Sequence, residues 1–146
     1  MGQLISLSDA IKLSSEKSIA LTTGCFDIFH AGHANFFKQA NKYLIEHNID
    51  FLIVGLATSK RLLELKQREK CSFEERALVL SMINGVDYIV PQADPVRLIK
   101  LLKPKLYLKG SDYIPQQPLR EESALLEYGS KLYFVPSYPL HTSDLI

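Results

Sequence analysis

The chain has 146 residues, 47% of them hydrophobic and 23% charged, so it is long enough to bury the core of one domain. The 17 Lys and Arg residues against 16 Asp and Glu give a formal net charge of +1, which provides no broad positive field for nucleic acid or a membrane surface. No apolar run reaches about 18 residues, and the first residues are too mixed for a signal peptide. The two cysteines, Cys25 and Cys71, have no metal-like spacing, so we predict a cytoplasmic protein with reduced thiols.

Short apolar runs alternate with helical patterns along the chain, which is typical of a parallel α/β sheet. Five runs are predicted strands, covering 18–23, 50–57, 86–90, 105–110 and 131–136. Predicted helices cover 32–47, Ser72 to about Asn84, Asp94 to Lys103 and 120–128, with a basic, partly helical lid over 58–70. Ser72 and Glu75 form a predicted capping box, and Asp94 is the predicted cap of a helix with Pro95 at its first position. The expected fold is a Rossmann-like, doubly wound, five-stranded parallel sheet with helices on both faces, in a single domain over residues 1–146.

Ligands of a doubly wound sheet bind beyond the carboxyl ends of its strands, where the strand order reverses. The segments that we expect at this edge are 24–33, 57–70, 110–116 and 136–144. They also hold the least ordinary residues of the chain, so the functional site is predicted there.

The first of these segments is part of TTGCFDIFHAGH, residues 22–33, which combines two glycines with two histidines. The glycines allow the backbone to turn sharply and to approach a ligand. The first N–H groups of the following helix favour an anion, and His30 and His33 can donate hydrogen bonds to phosphate. A metal site is the alternative, but His47 and His141 have no metal-like spacing to this pair. The residues alone favour phosphate and leave a metal or a purely structural role open.

The stretch GCFDIFHAGH, residues 24–33, resembles the signature of the nucleotidylyltransferase superfamily, the cytidylyltransferase-like enzymes, whose hallmark is H-x-G-H after the first strand. In that family a phosphate oxygen of the substrate attacks the α-phosphorus of a nucleoside triphosphate, and pyrophosphate leaves. The resemblance implies that His30 and His33 are catalytic and that Mg²⁺ bridges the triphosphate without a metal site in the protein. It also implies nucleotide binding by the loop residues Thr23, Gly24, Cys25, Phe26 and Gly32.

A second stretch, LYLKGSDY over residues 106–113, resembles the V-K-G-G-D-Y signature of the bacterial heptose-1-phosphate adenylyltransferases, with Ser111 in place of the second glycine. In isolation it is an ordinary turn. The resemblance implies nucleotide binding by Gly110 and Asp112 and substrate binding by Lys109. Glycerol-3-phosphate and ethanolamine-phosphate cytidylyltransferases carry a more acidic G-D-D at this point, which favours the heptose branch.

The last six residues, HTSDLI, resemble the family's S-T-T/S-x-I segment, whose hydroxyls and helix start hold the β- and γ-phosphates. Nucleotide binding is therefore implied for Thr142, for Ser143 and for His141, which replaces the usual serine. Pro136 stands where cytidylyltransferases often place a phosphate-binding arginine.

Three further residues are assigned with the help of the resemblance. Relatives carry a lysine in the basic segment that reaches the phosphates, and Lys66 is the preferred match as a third catalytic residue. The segment also holds Lys60, Arg61, Arg68 and Lys70, and a solvated helix face or loop is the alternative interpretation of its charges. Arg76 either orients substrate phosphate or the lid, or is a charge on a helix surface, and both interpretations stay open. Asp27 is grouped with the substrate-binding residues, although an Asp in such a turn more often bonds local backbone N–H groups.

The predicted function is transfer of a nucleotidyl group to a phosphorylated sugar, preferably from ATP to D-glycero-D-manno-heptose 1-phosphate. One alternative is a cytidylyltransferase that uses CTP and glycerol 3-phosphate or a similar polyol phosphate. Another is a non-catalytic nucleotide-binding module. The resemblance also implies a homodimer and an N-terminal helical extension over residues 1–17, and the charge balance argues against nucleic-acid and membrane partners.

Overall fold

Six short segments form parallel strands in the structure, a computed structural model that describes residues 2–136. They are β1 (Gln3–Leu4), β2 (Ile19–Gly24), β3 (Phe51–Ala57), β4 (Tyr88–Gln92), β5 (Leu106–Gly110) and β6 (Lys131–Val135). Neighbouring strands follow the order β1-β4-β3-β2-β5-β6. Strand β2 therefore lies inside the sheet, with β3 and β4 following on one side of it and β5 and β6 on the other.

Six α-helices and one 3-10 helix connect the strands within the described residues. They are α1 (Leu7–Glu16), α2 (Ala31–Glu46), α3 (Ser59–Lys66), α4 (Phe73–Ser81), α5 (Pro95–Leu102), the 3-10 helix (Ser111–Gln116) and α6 (Glu122–Glu127). The capping box predicted at Ser72 and Glu75 begins α4, and the Asp94 carboxylate accepts the N–H of Val96 at the start of α5. Within residues 2–136, none of the helices has the length and apolar character needed to span a membrane.

Each face of the sheet buries its own apolar cluster. Phe37, Ala40 and Leu44 of α2, with Leu80 of α4, pack on one face. Helices α1, α5 and α6 cover the other face with Ala10, Leu98, Ile99, Leu102, Ala124 and Leu125. Successive residues of a strand point to opposite faces, so the almost continuous apolar run of β3 serves both clusters. The predicted Rossmann-like α/β sheet with helices on both faces is confirmed.

The predicted strand number is wrong, because the sheet has six strands and not five. The additional strand, β1, lies in the segment predicted to be a helical extension and pairs with β4 through Gln3↔Tyr88 and Leu4↔Ile89. A strand of two residues has no periodicity that a sequence pattern can reveal. The same segment does contain a helix, α1, which begins after Ser6 with the Ser6 hydroxyl accepting the N–H of Asp9 at 3.1 Å.

Strand β4 also lies further along the chain than predicted, at Tyr88–Gln92 rather than 86–90. It continues through Pro91, which lacks the N–H that a central strand must donate. On the outer side of β4, β1 pairs only with Tyr88 and Ile89, so Pro91 lies where that side has no neighbouring strand. As a result Gln92 is the last residue of the strand, at the carboxyl edge of the sheet.

Candidate active site

A cavity of about 760 Å³ opens at the carboxyl ends of the strands, where β2 separates β3 from β5. Eleven of the residues predicted for the site line it: Thr23, Gly24, Cys25, Phe26, His30, Gly32, His33, Lys66, Lys109, Gly110 and Asp112. Asp27 and Arg76 are not among the described residues that line it. His141, Thr142 and Ser143 lie outside the described residues.

The two histidines stand together at the start of α2. His30 is the N-cap residue, and its Nδ1 accepts the backbone N–H of Gly32 at 3.0 Å. The Nδ1 of His33 accepts the backbone N–H of His30 at 3.3 Å, and the ring centroids are 4.0 Å apart. In the neutral state each ring therefore carries its proton on Nε2, the nitrogen opposite the backbone contact. The Gly32 N–H, expected to face an anion, here donates to His30 and is not available to a ligand in this arrangement.

His33 is held in the neutral form. Burial, together with the nearby positive charges of His30 and Lys66, lowers the pKa of His33 from 6.5 to about 4. Near neutral pH, His33 is thus a neutral hydrogen-bond donor and not an imidazolium. Phe26 and Phe29 lie against its ring, with centroid separations of 5.2 Å each, and contribute to this burial.

The phosphate loop, which we define as residues 24–33, is shaped by Phe26. This residue has φ of 47°, in the left-handed region that non-glycine residues rarely adopt. Its ring folds back over Gly24, where a Cβ atom would lie 2.8 Å from the Phe26 ring. Gly24 therefore makes room for an aromatic side chain of the protein, a reason that the sequence pattern does not show.

Asp27 fastens the loop to the far end of the lid. Its carboxylate accepts the backbone N–H groups of Lys70, at 3.1 Å, and of Cys71, at 2.8 Å. The expected kind of partner, backbone N–H, is correct, but these groups lie more than 40 positions along the chain and not in the same turn. The structure places Asp27 as a link between two loops, and not in the cavity as a substrate ligand.

Arg76 makes a second link and needs a correction. It is 1% exposed, so the surface-charge interpretation is wrong. Its guanidinium donates to the carbonyls of Cys25 at 3.0 Å, Ala57 at 2.7 Å and Cys71 at 3.2 Å, and to the Glu69 carboxylate at 3.1 Å. Because these partners occupy the donors, Arg76 holds the phosphate loop, the end of β3 and the lid together and is not in position to bind substrate.

Lys109 supports the loop from the other side of β2. Its ammonium donates to the Thr23 carbonyl at 3.0 Å and to the Thr23 hydroxyl at 3.1 Å, and it lies 3.9 Å from the Glu121 carboxylate. The Tyr107 hydroxyl completes the network by contacting Thr23 at 2.6 Å and Glu121 at 3.0 Å. Burial lowers the pKa of Lys109 while the charge of Glu121 opposes that shift. Lys109 was predicted to bind substrate, but at 7% exposure its main contacts are with the end of β2.

Two of the five basic residues in segment 58–70 line the cavity. Lys66 and Arg61, both on α3, line the cavity, whereas Lys60, Arg68 and Lys70 do not. Lys66 lies in the last turn of the helix and close enough to His33 for its charge to affect the pKa of that histidine. The cavity therefore receives positive charge from one side without a metal ion, and within the described residues no group of three His, Cys, Asp or Glu could hold a metal.

Several residues of the site were not predicted from the sequence, namely Gln92, Tyr107, Tyr113 and Glu121, and Arg61 was considered only as one of the charges of the basic segment. The signal for Gln92 was available in principle, because it ends a strand at the same edge as the phosphate loop. Tyr107 and Glu121 read as ordinary strand and helix residues, and only their meeting at Thr23 shows their role. Lys109 also lies 4.7 Å from the centroid of the Tyr113 ring, which attaches the 3-10 helix to the network.

The class of protein follows from this site and from comparison with known families. The family model described as cytidylyltransferase-like matches residues 21–139, which include the phosphate loop and all strands from β3 onward. The chain belongs to the cytidylyltransferase-like family. The prediction made from the H-x-G-H sequence is thereby confirmed.

Comparison with individual proteins shows which members of the family the chain resembles. The Bifunctional protein HldE of Helicobacter pylori is 33% identical over 126 residues, which cover 84% of this chain and 26% of the relative. The Bifunctional protein HldE of Campylobacter curvus is 40% identical over 111 residues, covering 73% of this chain and 23% of the relative. The chain thus spans about a quarter of the length of these curated relatives.

A solved structure has the same fold. The crystal structure of the lipopolysaccharide core biosynthesis protein from Thermoplasma volcanium superposes with a TM-score of 0.65. The match covers 86% of this chain and 99% of that chain at 22% sequence identity. At this identity the likeness concerns the fold.

Proposed function

We propose that this chain is a nucleotidylyltransferase that joins a nucleoside monophosphate to a phosphorylated sugar and releases pyrophosphate. The preferred substrates are ATP and D-glycero-D-manno-heptose 1-phosphate. The observation that carries the proposal is the stacked pair His30 and His33, held by backbone contacts at the start of α2 in a cavity at the strand switch. The resemblance of LKGSDY to the heptose-1-phosphate adenylyltransferases and the identity to proteins named HldE support the choice of substrate.

The proposed reaction needs donors and positive charge, and it does not need a general base. An oxygen of the acceptor's phosphate dianion forms a bond to the α-phosphorus of the nucleotide, and the bond from that phosphorus to the bridging oxygen of pyrophosphate breaks. No proton is gained or lost in this exchange, because the nucleophile is already ionised. The catalytic requirement is therefore to stabilise charge on the α-phosphate and on the departing pyrophosphate.

The residues of the cavity match that requirement. In the proposal, the Nε2–H groups of His30 and of neutral His33 donate to the phosphate oxygens, and Lys66 offsets the charge of the leaving group. Gly110 and Asp112, at the end of β5, take the nucleoside. Mg²⁺ would be held by the triphosphate oxygens of the nucleotide and would offset part of their negative charge. The Asp27, Arg76 and Lys109 links keep the loop in one geometry, so little reorganisation is needed during the reaction.

The proposal is tested by measuring pyrophosphate release with four nucleoside triphosphates and a panel of sugar and polyol phosphates in the presence of Mg²⁺. We expect turnover with ATP and heptose 1-phosphate. Preference for CTP and glycerol 3-phosphate would replace the heptose assignment with the cytidylyltransferase alternative. Nucleotide binding without turnover on any pair would instead identify a non-catalytic module.

His30→Ala tests the role of the stacked histidine pair directly. Removing one stabilising donor should reduce kcat by a factor on the order of 10²–10³. The matched control is His47→Ala, which removes a histidine from the other end of α2, where its ring contacts Tyr43 and Tyr133 and not the cavity. Equal kcat values for the two variants would contradict the role given to His30.

We also propose a homodimer. The support is apolar surface on the two helices that cover one face of the sheet, since Ile45 of α2, Leu78 of α4 and Met82, the C-cap residue of α4, are each more than 60% exposed. Light scattering after size-exclusion chromatography should give twice the mass of the chain. Leu78→Glu should lower that mass toward the monomer if α4 forms the contact.

A further inference from the structure

Two residues that line the cavity each have a buried polar side-chain atom that lacks a partner among residues 2–136. The atoms are Oε1 of Gln92, on a side chain that is 5% exposed, and Nε of Arg61. Both residues line the cavity, Gln92 from the end of β4 and Arg61 from α3. A buried acceptor or donor without a partner is destabilising, so two of them on residues that line one cavity are candidates for groups that a ligand satisfies.

The strand order separates this pair from the nucleotide side. Strands β3 and β4 lie on one side of β2, and β5 and β6 lie on the other. Gly110 ends β5 and Asp112 follows it, whereas Gln92 ends β4 and Arg61 follows β3. With the phosphate loop in the middle, a nucleotide over β5 leaves the β3 and β4 side of the cavity for the other substrate.

The side chain of Gln92 is confined by its surroundings. Gly55 of β3 lies beneath it, and a Cβ atom there would lie 3.3 Å from Cγ of Gln92, 3.0 Å from Cγ2 of Thr23 and 2.6 Å from Cδ2 of Leu98. The missing Cβ of Gly55 is thus the space into which these three side chains pack. This packing holds the Cγ atom of Gln92, next to its carboxamide. Because the side chain is already ordered, binding a ligand through its oxygen costs little side-chain entropy.

We propose that Gln92 and Arg61 bind a hydroxyl group of the acceptor, so that this end of the cavity selects phosphorylated sugars and polyols over phosphorylated amines. This rests on the function proposed above. A hydroxyl accepts from Arg61 Nε–H and donates to Gln92 Oε1 at the same time, which satisfies both atoms. An ammonium group could donate to Gln92, but it would lie against the charge of Arg61. A second phosphate could accept from Arg61, but its oxygens would face the Gln92 oxygen.

The test compares binding of glycerol 3-phosphate, a hexose 1-phosphate and phosphoethanolamine to the full chain by titration calorimetry. Gln92→Met keeps the length of the side chain and removes its carboxamide. We expect the two hydroxylated ligands to bind about tenfold more weakly to Gln92→Met, the effect of one lost hydrogen bond. Phosphoethanolamine should bind the parent protein more weakly than glycerol 3-phosphate and should be unaffected by the substitution. The matched control is Gln3→Met, the same change on the exposed edge strand β1.

A double-mutant cycle distinguishes a ligand hydroxyl that contacts both side chains from a general disturbance of the site by each substitution. If one hydroxyl contacts both side chains, Arg61→Met and Gln92→Met together should weaken binding by clearly less than the product of their separate effects. Independent, multiplying effects would contradict a shared ligand group. Equal binding of glycerol 3-phosphate and phosphoethanolamine, or no binding of any hydroxylated ligand, would overturn the proposal as a whole.

The outcomes also distinguish this inference from the proposed function. Pyrophosphate release that is unchanged in Gln92→Met would leave the nucleotidylyltransferase proposal standing and overturn the acceptor site. Polyol-phosphate binding that depends on Gln92, without pyrophosphate release on any substrate pair, would support the acceptor site and overturn the enzyme.

Discussion

Arg76 and Gln92 are both buried polar side chains near the carboxyl edge of the sheet, and they differ in what they contact. Arg76 has protein partners for its Nε and for both terminal nitrogens. Gln92 Oε1 has none among residues 2–136. Burial of a polar group alone therefore does not indicate function. What distinguishes a residue that supports the site from one that contacts a ligand is whether its buried polar atoms have partners within the protein.

The comparison extends to whole regions of the cavity wall. Beneath the phosphate loop, Asp27, Arg76 and Lys109 join the ends of β2, β3 and β5 through contacts within the protein. Gln92 at the end of β4 and Arg61 on α3 each have a buried atom without a partner among residues 2–136. We expect the first region to determine stability and the second to determine specificity. Substitutions in the two regions should therefore differ in their effects on stability and on ligand binding.

The largest effect is expected from Arg76→Met. The substitution removes the donors for three backbone carbonyls and leaves the carboxylate of Glu69 without its guanidinium partner. Loss of one member of such a buried network should lower the free energy of unfolding by about 3–5 kcal/mol. For a chain of this size, that corresponds to a melting temperature roughly 10–20 °C lower. The control is Arg97→Met on the exposed side of α5, and comparable melting temperatures for the two variants would refute the role of Arg76 as a link.

Lys109→Met should have the next largest effect. It leaves the Glu121 carboxylate, 9% exposed, with the Tyr107 hydroxyl but without a cation, and removes the donor to the Thr23 carbonyl. We expect a loss of about 2–3 kcal/mol in the free energy of unfolding, measured by denaturant titration. Adding Glu121→Gln should restore part of it, because the uncompensated charge is gone. Additive losses in the double variant would mean that the two side chains do not interact.

A smaller, pH-dependent effect is expected at His33. The unfolded chain takes up a proton on this imidazole near pH 6.5, whereas the folded protein does so only near its pKa of about 4. Between these values the unfolded state binds more protons, so stability is lost as the pH falls from about 6.5 to about 4. Allowing for solvent screening of a partly exposed ring, the loss is about 1–2 kcal/mol. His33→Gln keeps an acceptor for the His30 N–H and should flatten the profile, and identical profiles would show that His33 does not contribute.

The sequence predicted the regions of this molecule that depend on local pattern. The five longer strands, the caps of α4 and α5, and the H-x-G-H segment at the start of α2 depend on periodicity or on neighbouring residues. Strand β1 was missed because two residues carry no pattern. The end of β4 was misplaced because Pro91 is unfavourable in a strand unless one side lacks a partner, which is a property of the assembled sheet.

The roles of the site residues were harder to predict, for a physical reason. Arg76 contacts residues on three separate segments, and Lys109 reaches back 86 positions to Thr23. Such contacts arise only when the strands are paired, so a charged residue in the sequence looks the same whether its partner is a substrate or a carbonyl group. Gln92 shows the converse, since its sequence can place it at the end of a strand, whereas the lack of a partner for its Oε1 among residues 2–136 is visible only in the structure.

The smallest effect is expected from Gln92→Met, and its sign tests the division most sharply. An apolar side chain of similar length removes a buried carboxamide oxygen that has no partner among residues 2–136. The free energy of unfolding should stay the same or rise by up to about 1 kcal/mol, because the desolvation cost of that oxygen disappears. Arg76→Met, the same replacement at the other buried polar residue, should be strongly destabilising. A loss above about 2 kcal/mol in Gln92→Met would mean that Gln92 supports the fold. Unchanged stability together with weaker binding of polyol phosphates is the combination that a ligand-facing residue alone produces, since such a group is kept for the bound state at the expense of the free one.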